Sequence, residues 1–510
     1  MLEFVPPPGL DGPERRKGVV IIGAGPVGLA AAIELAGLGV PSVVLDLRES
    51  IAVGSRAICW SKRSIEIFDR LGIGDRAVEK GIIWKVGRTY HGHRELFSFD
   101  LLPEEGHKRP AFINLQQYYV EDYLLDRANG IDGIDLRFAN RVVSLEQFPD
   151  FVKLGIETPE GNYDLEAKWL IACDGVRSTI RAQLGLEFEG EVFEDRFLIS
   201  DIEMNADFPS ERRFWFEPTF HGGQSALLHK QPDNIYRIDL QLGPDADPAR
   251  ERLPENVMPR ISKVVDGRDY RLEWVSVYTF QCRRLERFVH GRVIFAGDSA
   301  HVVSPFGARG GNGGLQDVDS LCWRLAAILG GRARPSVLED YNSERVHGAD
   351  ENISNSSRTT RFMSPRDGWE RVLRDQVLSL ASAAEYARPW VNSGRLSVPS
   401  VYQISGPDSL QLPNVSCPGS VAPDAPVGDE WLIDRLGRVP CVVGVGCEPP
   451  AIPGTRALNV QINDFVRERY LGSERDAVYL VRPDQVIAAR WTGCSGRQIR
   501  AAISNMWGMN

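Results

Sequence analysis

Three stretches of this chain combine glycine, acid and strand in spacings that suit a large anionic ligand. The first is Gly23-Ala24-Gly25-Pro26-Val27-Gly28. It lies between Val19-Val20-Ile21-Ile22, a β-branched strand, and Leu29-Ala30-Ala31-Ala32-Ile33-Glu34-Leu35-Ala36, a good helix former. Bare backbone at a strand-to-helix turn lets a pyrophosphate reach the helix N-terminus, where free N–H groups and the positive dipole end bind anions. A second apolar strand, Ser42-Val43-Val44-Leu45, runs into Asp46, whose carboxylate is placed to accept hydrogen bonds from an adenosine ribose. Strand, helix, strand and acid in register predict dinucleotide binding.

The second stretch is Leu170-Ile171-Ala172-Cys173-Asp174-Gly175-Val176-Arg177-Ser178. The third is Gly297-Asp298-Ser299-Ala300-His301, followed by Pro305, Gly307, Gly310, Asn312, Gly313, Gly314 and Asp317. Each brings an apolar strand to an acid beside glycine. A helix starting at about Leu315 then points its N-terminus at the same sheet edge. Such an edge stabilises an anion or an electron-rich ring carbonyl. A flavin needs both diphosphate neutralisation and positive potential near its pyrimidine ring.

The elements that position these residues follow from patterning. Helices are predicted at 61–71, 114–128, 254–265 and 316–330, and mostly helical patterns over 335–395. Alternating residues at 82–100 and 190–245, with a further strand at 272–283, predict a mostly antiparallel sheet with one wet face. The stretch 396–430 is rich in Pro, Ser and Gly and reads as a connection. Strands near 440–445, 457–461, 477–482 and 485–490 predict a compact C-terminal unit. The leader, residues 1–16, is proline-rich and charged, with no apolar stretch of signal-peptide length.

Composition narrows the class. The 510 residues are 43% hydrophobic and 25% charged, as in ordinary globular proteins. A net charge of -10 argues against a nucleic-acid or anionic-membrane surface. The apolar stretch 19–45 is interrupted by Gly23, Gly25, Pro26, Gly28 and Glu34, which a βα unit explains and a membrane span does not. The eight cysteines form no CxxC, which points to reduced thiols and a cytoplasmic protein. His91-Gly92-His93 has no further ligands nearby, so no metal site is expected.

The three motifs, in their order and spacing, resemble the FAD-dependent aromatic hydroxylases, the single-component flavoprotein monooxygenases, over nearly the whole chain. The region around Ala477-Val478-Tyr479-Leu480-Val481-Arg482-Pro483-Asp484 resembles the thioredoxin-like domain of the phenol and polyketide hydroxylase branch. The resemblance implies an α/β fold: a Rossmann-type FAD-binding domain, an inserted mostly antiparallel β-sheet substrate domain, and a C-terminal thioredoxin-like domain lacking CxxC. The FAD-binding domain would take 17–85, 110–190 and 284–350, after a flexible leader at 1–16. The substrate sheet would take 86–109 and 191–283, a helical segment 351–400, and the thioredoxin-like domain 401–510.

The resemblance also assigns roles. Gly23, Gly25 and Gly28 would hold the FAD diphosphate and Asp46 the adenosine ribose. Arg56 would reach the cofactor. Gln117 would contact the ribityl and phosphate region. Asp174 and Gly175 would serve both FAD and the reduced nicotinamide, and Asp298 the ribityl and phosphate. Gly310, Asn312 and Gly314 would lie by the isoalloxazine, and Pro305 would border the substrate. The family places a glycine where this chain has Ala308 and an uncharged residue where it has Arg309. The glycine-rich loop is therefore expected to be flexible, with Arg309 available to an anionic substrate or to phosphate.

For other residues two readings stand. His229 and Gln231 share one face of a strand, toward substrate or toward solvent. Trp215 and Phe216 belong to a substrate wall or to the sheet core. Arg177 and Arg181 bind nicotinamide phosphate or form surface ion pairs. His301 is expected to be packed rather than to act as a base. Only one GxGxxG occurs, so the nicotinamide would bind transiently. The implied activity is hydroxylation of a small phenolic or related aromatic substrate with NADPH or NADH and O2, through a flavin hydroperoxide. A same-fold flavoenzyme carrying out oxidative decarboxylation, epoxidation or non-aromatic ring hydroxylation is the alternative. A homodimer is compatible with the appended domain, and neither nucleic acid nor membrane is expected as a partner.

Overall fold

Val19, Val20, Ile21 and Ile22 are all buried, because their strand sits in the middle of a largely parallel sheet covered on both faces. The computed structural model describes residues 4–50, 57–206, 208–222, 224–365, 368–391, 396 and 398–509. Lys17–Ile22 pairs in parallel with Gly161–Ala172 on one side and Ser42–Leu45 on the other. Ile134–Arg137 continues the sheet beyond Ser42–Leu45, and Val293–Phe295 continues it beyond Gly161–Ala172. The three motifs therefore leave this sheet at neighbouring strand ends. Ile22 pairs with Ala172, and Ala172 with Phe295, so Gly23, Cys173 and Ala296 follow in one row.

The helices Pro26–Gly37 and Gly310–Leu329 pack against this sheet and each other. The second begins well before Leu315. Its first turn is the glycine run itself, where a flexible loop was expected. Glycine is a poor helix former, costing about 1 kcal/mol against alanine. Close packing explains its presence. A Cβ on Gly314 would lie 2.7 Å from Val27 Cγ2, and one on Gly313 would lie 3.3 Å from His301. Ala308, just before the helix, holds φ at 53°, the left-handed region that favours the glycine of the related loop.

The second sheet is mostly antiparallel, as expected. Its order is His301–Val302, Arg271–Arg284, Glu189–Glu203, Ile235–Gly243, Ala226–Lys230, Arg212–Phe216, Val86–His91 and Arg94–Asp100. Its outer face carries Leu198, Ala226, Leu228, Ile238 and Leu240 beneath the helix Pro254–Val264. Both its faces are covered. The inner face looks onto the first sheet and onto a small sheet of Cys59–Ser61, Phe112–Asn114 and Ile82–Trp84. Asn114 ties this seam, accepting from Trp84 Nε1 at 2.7 Å and donating to the Lys230 carbonyl at 2.7 Å.

The C-terminal unit is a four-stranded sheet in the order Arg456–Val460, Cys441–Val445, Ala477–Val481 and Ile487–Trp491, with the helix Gly496–Met506 against it. Ser495 and Gln498 form a capping box that starts this helix. A buried ion pair and a buried hydrogen bond help fasten the unit to the rest. Arg482 donates to both oxygens of Glu344 at 2.6 and 3.0 Å, and Arg63 donates to the Asp484 carbonyl at 2.8 Å. The leader is not loose throughout: buried Arg137 donates to both oxygens of Glu14 at 2.7 and 2.9 Å. No helix among the described residues is long and apolar enough to cross a membrane. No group of three metal-ligating side chains occurs among them.

Candidate functional site

The strand ends build one continuous edge. At its first turn Gly23 has φ +102°, and a Cβ there would meet the Cys173 carbonyl at 2.4 Å. A Cβ on Gly28 would meet the Gly23 carbonyl at 1.9 Å, so Gly28 lets the helix close against the turn. Gly25 differs. Its backbone is extended and a Cβ there would have no atom within 4 Å. That open space beside a helix N-terminus fits a diphosphate.

Asp46 ends the next strand. Its carboxylate accepts from Ala24 N at 2.6 Å and from Arg48 at 2.8 and 3.0 Å. Ala24 and Arg48, which donate to it, line a small pocket with Ser50, Glu121 and Phe138 among others. Gln117 accepts from Ala57 N at 3.1 Å and donates to Glu121 at 2.8 Å. It thus orients the chain leaving the segment that contains Arg56, which itself lies outside the described residues.

Asp174 splits its carboxylate. Oδ2 accepts from Thr179 N at 2.8 Å and Ile180 N at 3.2 Å, closing the loop around Gly175 (φ +77°). Oδ1 is buried and has no partner among the described residues. Arg181 spends its guanidinium on the carbonyls of Val176 and Ser299 at 2.6 and 3.2 Å, so it shapes this loop, whereas Arg177 is exposed. Asp298 is exposed on the short turn Gly297–Ser299. The first N–H groups of the Gly310–Leu329 helix start at the same edge. An open cradle at Gly25, an orphaned carboxylate oxygen at Asp174, an exposed acid at Asp298 and a helix N-terminus together fit an extended FAD.

Asn312 does other work than expected. Its Oδ1 accepts from Ser61 N at 2.9 Å and Ser64 Oγ at 2.5 Å, and its Nδ2 donates to the carbonyls of Cys59 and Ala308 at 2.9 and 2.5 Å. With its polar atoms so engaged, it pins the Cys59–Ser61 strand under the glycine helix. Only its backbone is left for the isoalloxazine. Asn312→Ala should cost about 1–3 kcal/mol through the orphaned Ser61 N–H, read as a lowered urea midpoint. His301 is packed, as expected, with Nε2 2.7 Å from Asp317 Oδ2.

A cavity opens between the inner face of the second sheet, the Pro305–Arg309 turn and the helix Val337–Met363. Phe99, Phe214, Phe216, Phe306 and Phe362 supply its apolar walls, and Arg212 and Arg309 line it. Arg309 donates to Asn352 at 3.2 Å. Pro305 stands exposed at the rim. Trp215 is corrected: it faces the other side of the sheet, stacked on Tyr90 at 5.4 Å and packed on Phe220. Strand alternation gives the wall to Phe214 and Phe216 instead. His229 and Gln231 do reach the inner face, and they are buried rather than solvated.

Comparison with known proteins agrees with this geometry. The family described as FAD binding domain matches residues 16–356. A flavin-dependent monooxygenase of Mycobacteroides abscessus is 34% identical over 347 residues, 64% of this chain and 71% of its own. A para-nitrophenol 4-monooxygenase of a Pseudomonas species is 27% identical over 65% of this chain and 83% of its own. In fold, the chain is similar to the flavin-dependent monooxygenase PieE, solved with FAD and substrate, at a TM-score of 0.80 over 98% of this chain and 100% of that one, with 20% identity.

Proposed function

This chain belongs to the FAD binding domain family, among the flavin-dependent aromatic hydroxylases, and from that premise we propose that it hydroxylates a phenolic or related aromatic ring with NADPH or NADH and O2. The observation that carries the reading is the phenylalanine-walled cavity with arginines at its wall, set beside the cradle at Gly25, Asp174 and Asp298. FAD held at this cradle would supply the redox chemistry, coupling nicotinamide oxidation to insertion of one oxygen atom of O2 into the ring and release of the other as water.

The residues have separable tasks. Gly23, Gly25 and Gly28 bring backbone to the diphosphate, and Asp46 faces the adenosine ribose. Asp298 and the Gly310–Leu329 helix N-terminus hold the ribityl and ring end, with Gly310 and Gly314 keeping that approach bare. Gln117 serves the ribityl and phosphate region, and Arg56 reaches the cofactor. Asp174 and Gly175 shape the loop that a transient nicotinamide would visit. Phe214, Phe216, Phe306 and Phe362 stack the substrate ring and keep water away from it, which limits wasteful release of peroxide. Pro305 and Arg309 border the ring.

We also propose that residues 401–510 are thioredoxin-like in fold, with a structural role, since their cysteines form no CxxC. Eight free cysteines suit a reducing cytoplasm, and a homodimer remains compatible.

The test is a panel of phenols, assayed for NAD(P)H consumption, hydroxylated product and hydrogen peroxide. Product formed in step with nicotinamide loss supports the reading; no stimulation by any phenol removes it. Asp298→Ala should weaken FAD roughly 10- to 100-fold, the value of a charge-assisted hydrogen bond. Retained yellow colour after gel filtration would count against Asp298 as a flavin contact.

A further inference from the structure

The inner face of the second sheet carries five charged or ionisable side chains in two adjacent rows. Phe214 pairs with Leu227, Leu227 with Asp239, and Asp239 with Ile199. In the next row His229 pairs with Arg237, and Arg237 with Asp201, while Arg212 is one residue beyond the Arg213–Leu228 pair and so next to His229. Arg237 and Asp201 satisfy each other, with Nε and Nη2 donating to the two carboxylate oxygens at 2.8 and 2.7 Å.

The remaining groups are not satisfied. Arg212 is 8% exposed, lines the cavity, and its side chain makes no hydrogen bond or ion pair among the described residues. Asp239 is 7% exposed, and its Oδ1 has no partner among the described residues. His229 Nε2 stands 3.9 Å from Asp239 Oδ2, beyond hydrogen-bond range, and neither its Nδ1 nor Gln231 Oε1 has a partner among the described residues. Burial without partners is expensive for such groups, most of all for a guanidinium. Arg212 opens onto the cavity, and His229 and Asp239 continue the same face behind it, so a ligand that reaches past Arg212 would complete them.

A phenol meets the requirement. It donates a proton to a carboxylate and leaves an oxyanion for a guanidinium. We propose that Asp239 is the group that takes the proton from the substrate's ring hydroxyl, and that Arg212 receives the resulting phenolate. The step breaks the ring O–H bond and forms an O–H bond on Asp239 Oδ1; the electron pair stays on the ring oxygen. This rests on the hydroxylation reading above and assigns the base that reading lacks.

Electrostatics agrees with the geometry. Burial, helped by Asp201, pushes the Asp239 carboxyl up to about 6 against the opposing pull of Arg237 and Arg212. A carboxylate of that strength is suited to proton transfer near neutral pH. Burial, with Arg212 and Arg237 nearby, holds His229 well below its ordinary range, so it stays neutral and is no rival proton acceptor. Burial raises the Cys59 thiol, facing the group from the small sheet, to about 11, so it stays protonated.

Two phenols of different acidity test this in the holoprotein. 4-Methylphenol is un-ionised near neutral pH, whereas 4-nitrophenol is about half ionised there and depends far less on a base. Wild-type turnover of 4-methylphenol should rise with pH through an ionisation near 6, whereas that of 4-nitrophenol should follow the phenol's own ionisation near neutral pH. Asp239→Asn should lose about 100-fold or more with 4-methylphenol and far less with 4-nitrophenol, with flavin absorbance reporting the fold. Arg212→Met should weaken equilibrium binding of 4-nitrophenol, titrated without nicotinamide. Equal loss on both phenols, or none on either, overturns the assignment while leaving the hydroxylation reading intact. If wild-type protein turns over no phenol, that reading falls and the assignment with it. Should Asp239→Asn not fold, a wild-type 4-methylphenol profile flat across pH 6 overturns the assignment by itself.

Discussion

Gly25→Val is expected to give a folded protein that has lost its yellow colour. The backbone at Gly25 is extended, so valine is conformationally tolerated, and its Cβ enters space with no protein atom within 4 Å. The fold therefore has no reason to change. The cofactor does, because that space is where the proposed diphosphate would approach the first N–H groups of Pro26–Gly37. Overpacking of this kind costs about 1–3 kcal/mol, roughly 10- to 100-fold in FAD affinity. Flavin absorbance after gel filtration and the melting temperature of the apoprotein measure the two effects separately. Gly28→Ala is the control. Its Cβ falls 1.9 Å from the Gly23 carbonyl, so the turn itself must move and the apoprotein should melt earlier. A Gly25→Val protein that keeps its flavin would show that the diphosphate does not pass there.

Asp317→Ala should cost about 3–5 kcal/mol, the price of orphaning a buried charge. Asp317 is fully buried and holds three elements at once. It accepts from Gly297 N at 2.8 Å and lies 2.7 Å from His301 Nε2, and its other oxygen accepts from Arg345 Nε at 2.6 Å. Arg345 is itself fully buried and donates on to Tyr402 at 2.7 Å. Truncating the acid strands the arginine and loosens the turn that presents Asp298. Burial pushes the Asp317 carboxyl up, but His301, Arg345 and the Gly297 N–H outweigh it and hold it below its ordinary value. A depressed carboxyl stabilises the fold fully above its unfolded value, and the contribution is lost as pH falls through the folded one. Wild-type protein should therefore lose this stability below about pH 4, and Asp317→Ala should lack that part of the acid dependence. Denaturant unfolding of both proteins across pH 3–7 measures it. An unchanged midpoint for the variant would remove Asp317 as the anchor.

The dinucleotide unit was legible in the chain because its signals are local. A strand, three glycines, an alanine-rich helix and an acid after the next strand sit within 30 residues, and each is explained by its neighbours. The C-terminal strands were legible for the same reason, with Cys441–Val445 and Ala477–Val481 standing out as unbroken apolar runs. The start of the Gly310–Leu329 helix was not legible. Propensity argues against a helix of glycines, and only the approach of Val27 and His301 explains why nothing larger fits. Asn312 was placed by motif, but the bonds of its side chain were not legible, since its partners at Cys59, Ser61 and Ser64 lie some 250 positions away in sequence. Trp215 and Phe216 looked equivalent, because alternation says that neighbours part without saying which one faces inward.

What the sequence determined by itself is the cofactor class and the order of the sheet units, since both depend on contacts within a few dozen residues. What only the tertiary structure decided is the cluster of buried polar groups on the inner face of the second sheet. Arg212, His229 and Asp239 carry no motif, and their unusual state is a property of burial. A guanidinium and a carboxylate become chemically significant when packing removes water and leaves each without a partner, and no pattern along the chain encodes that.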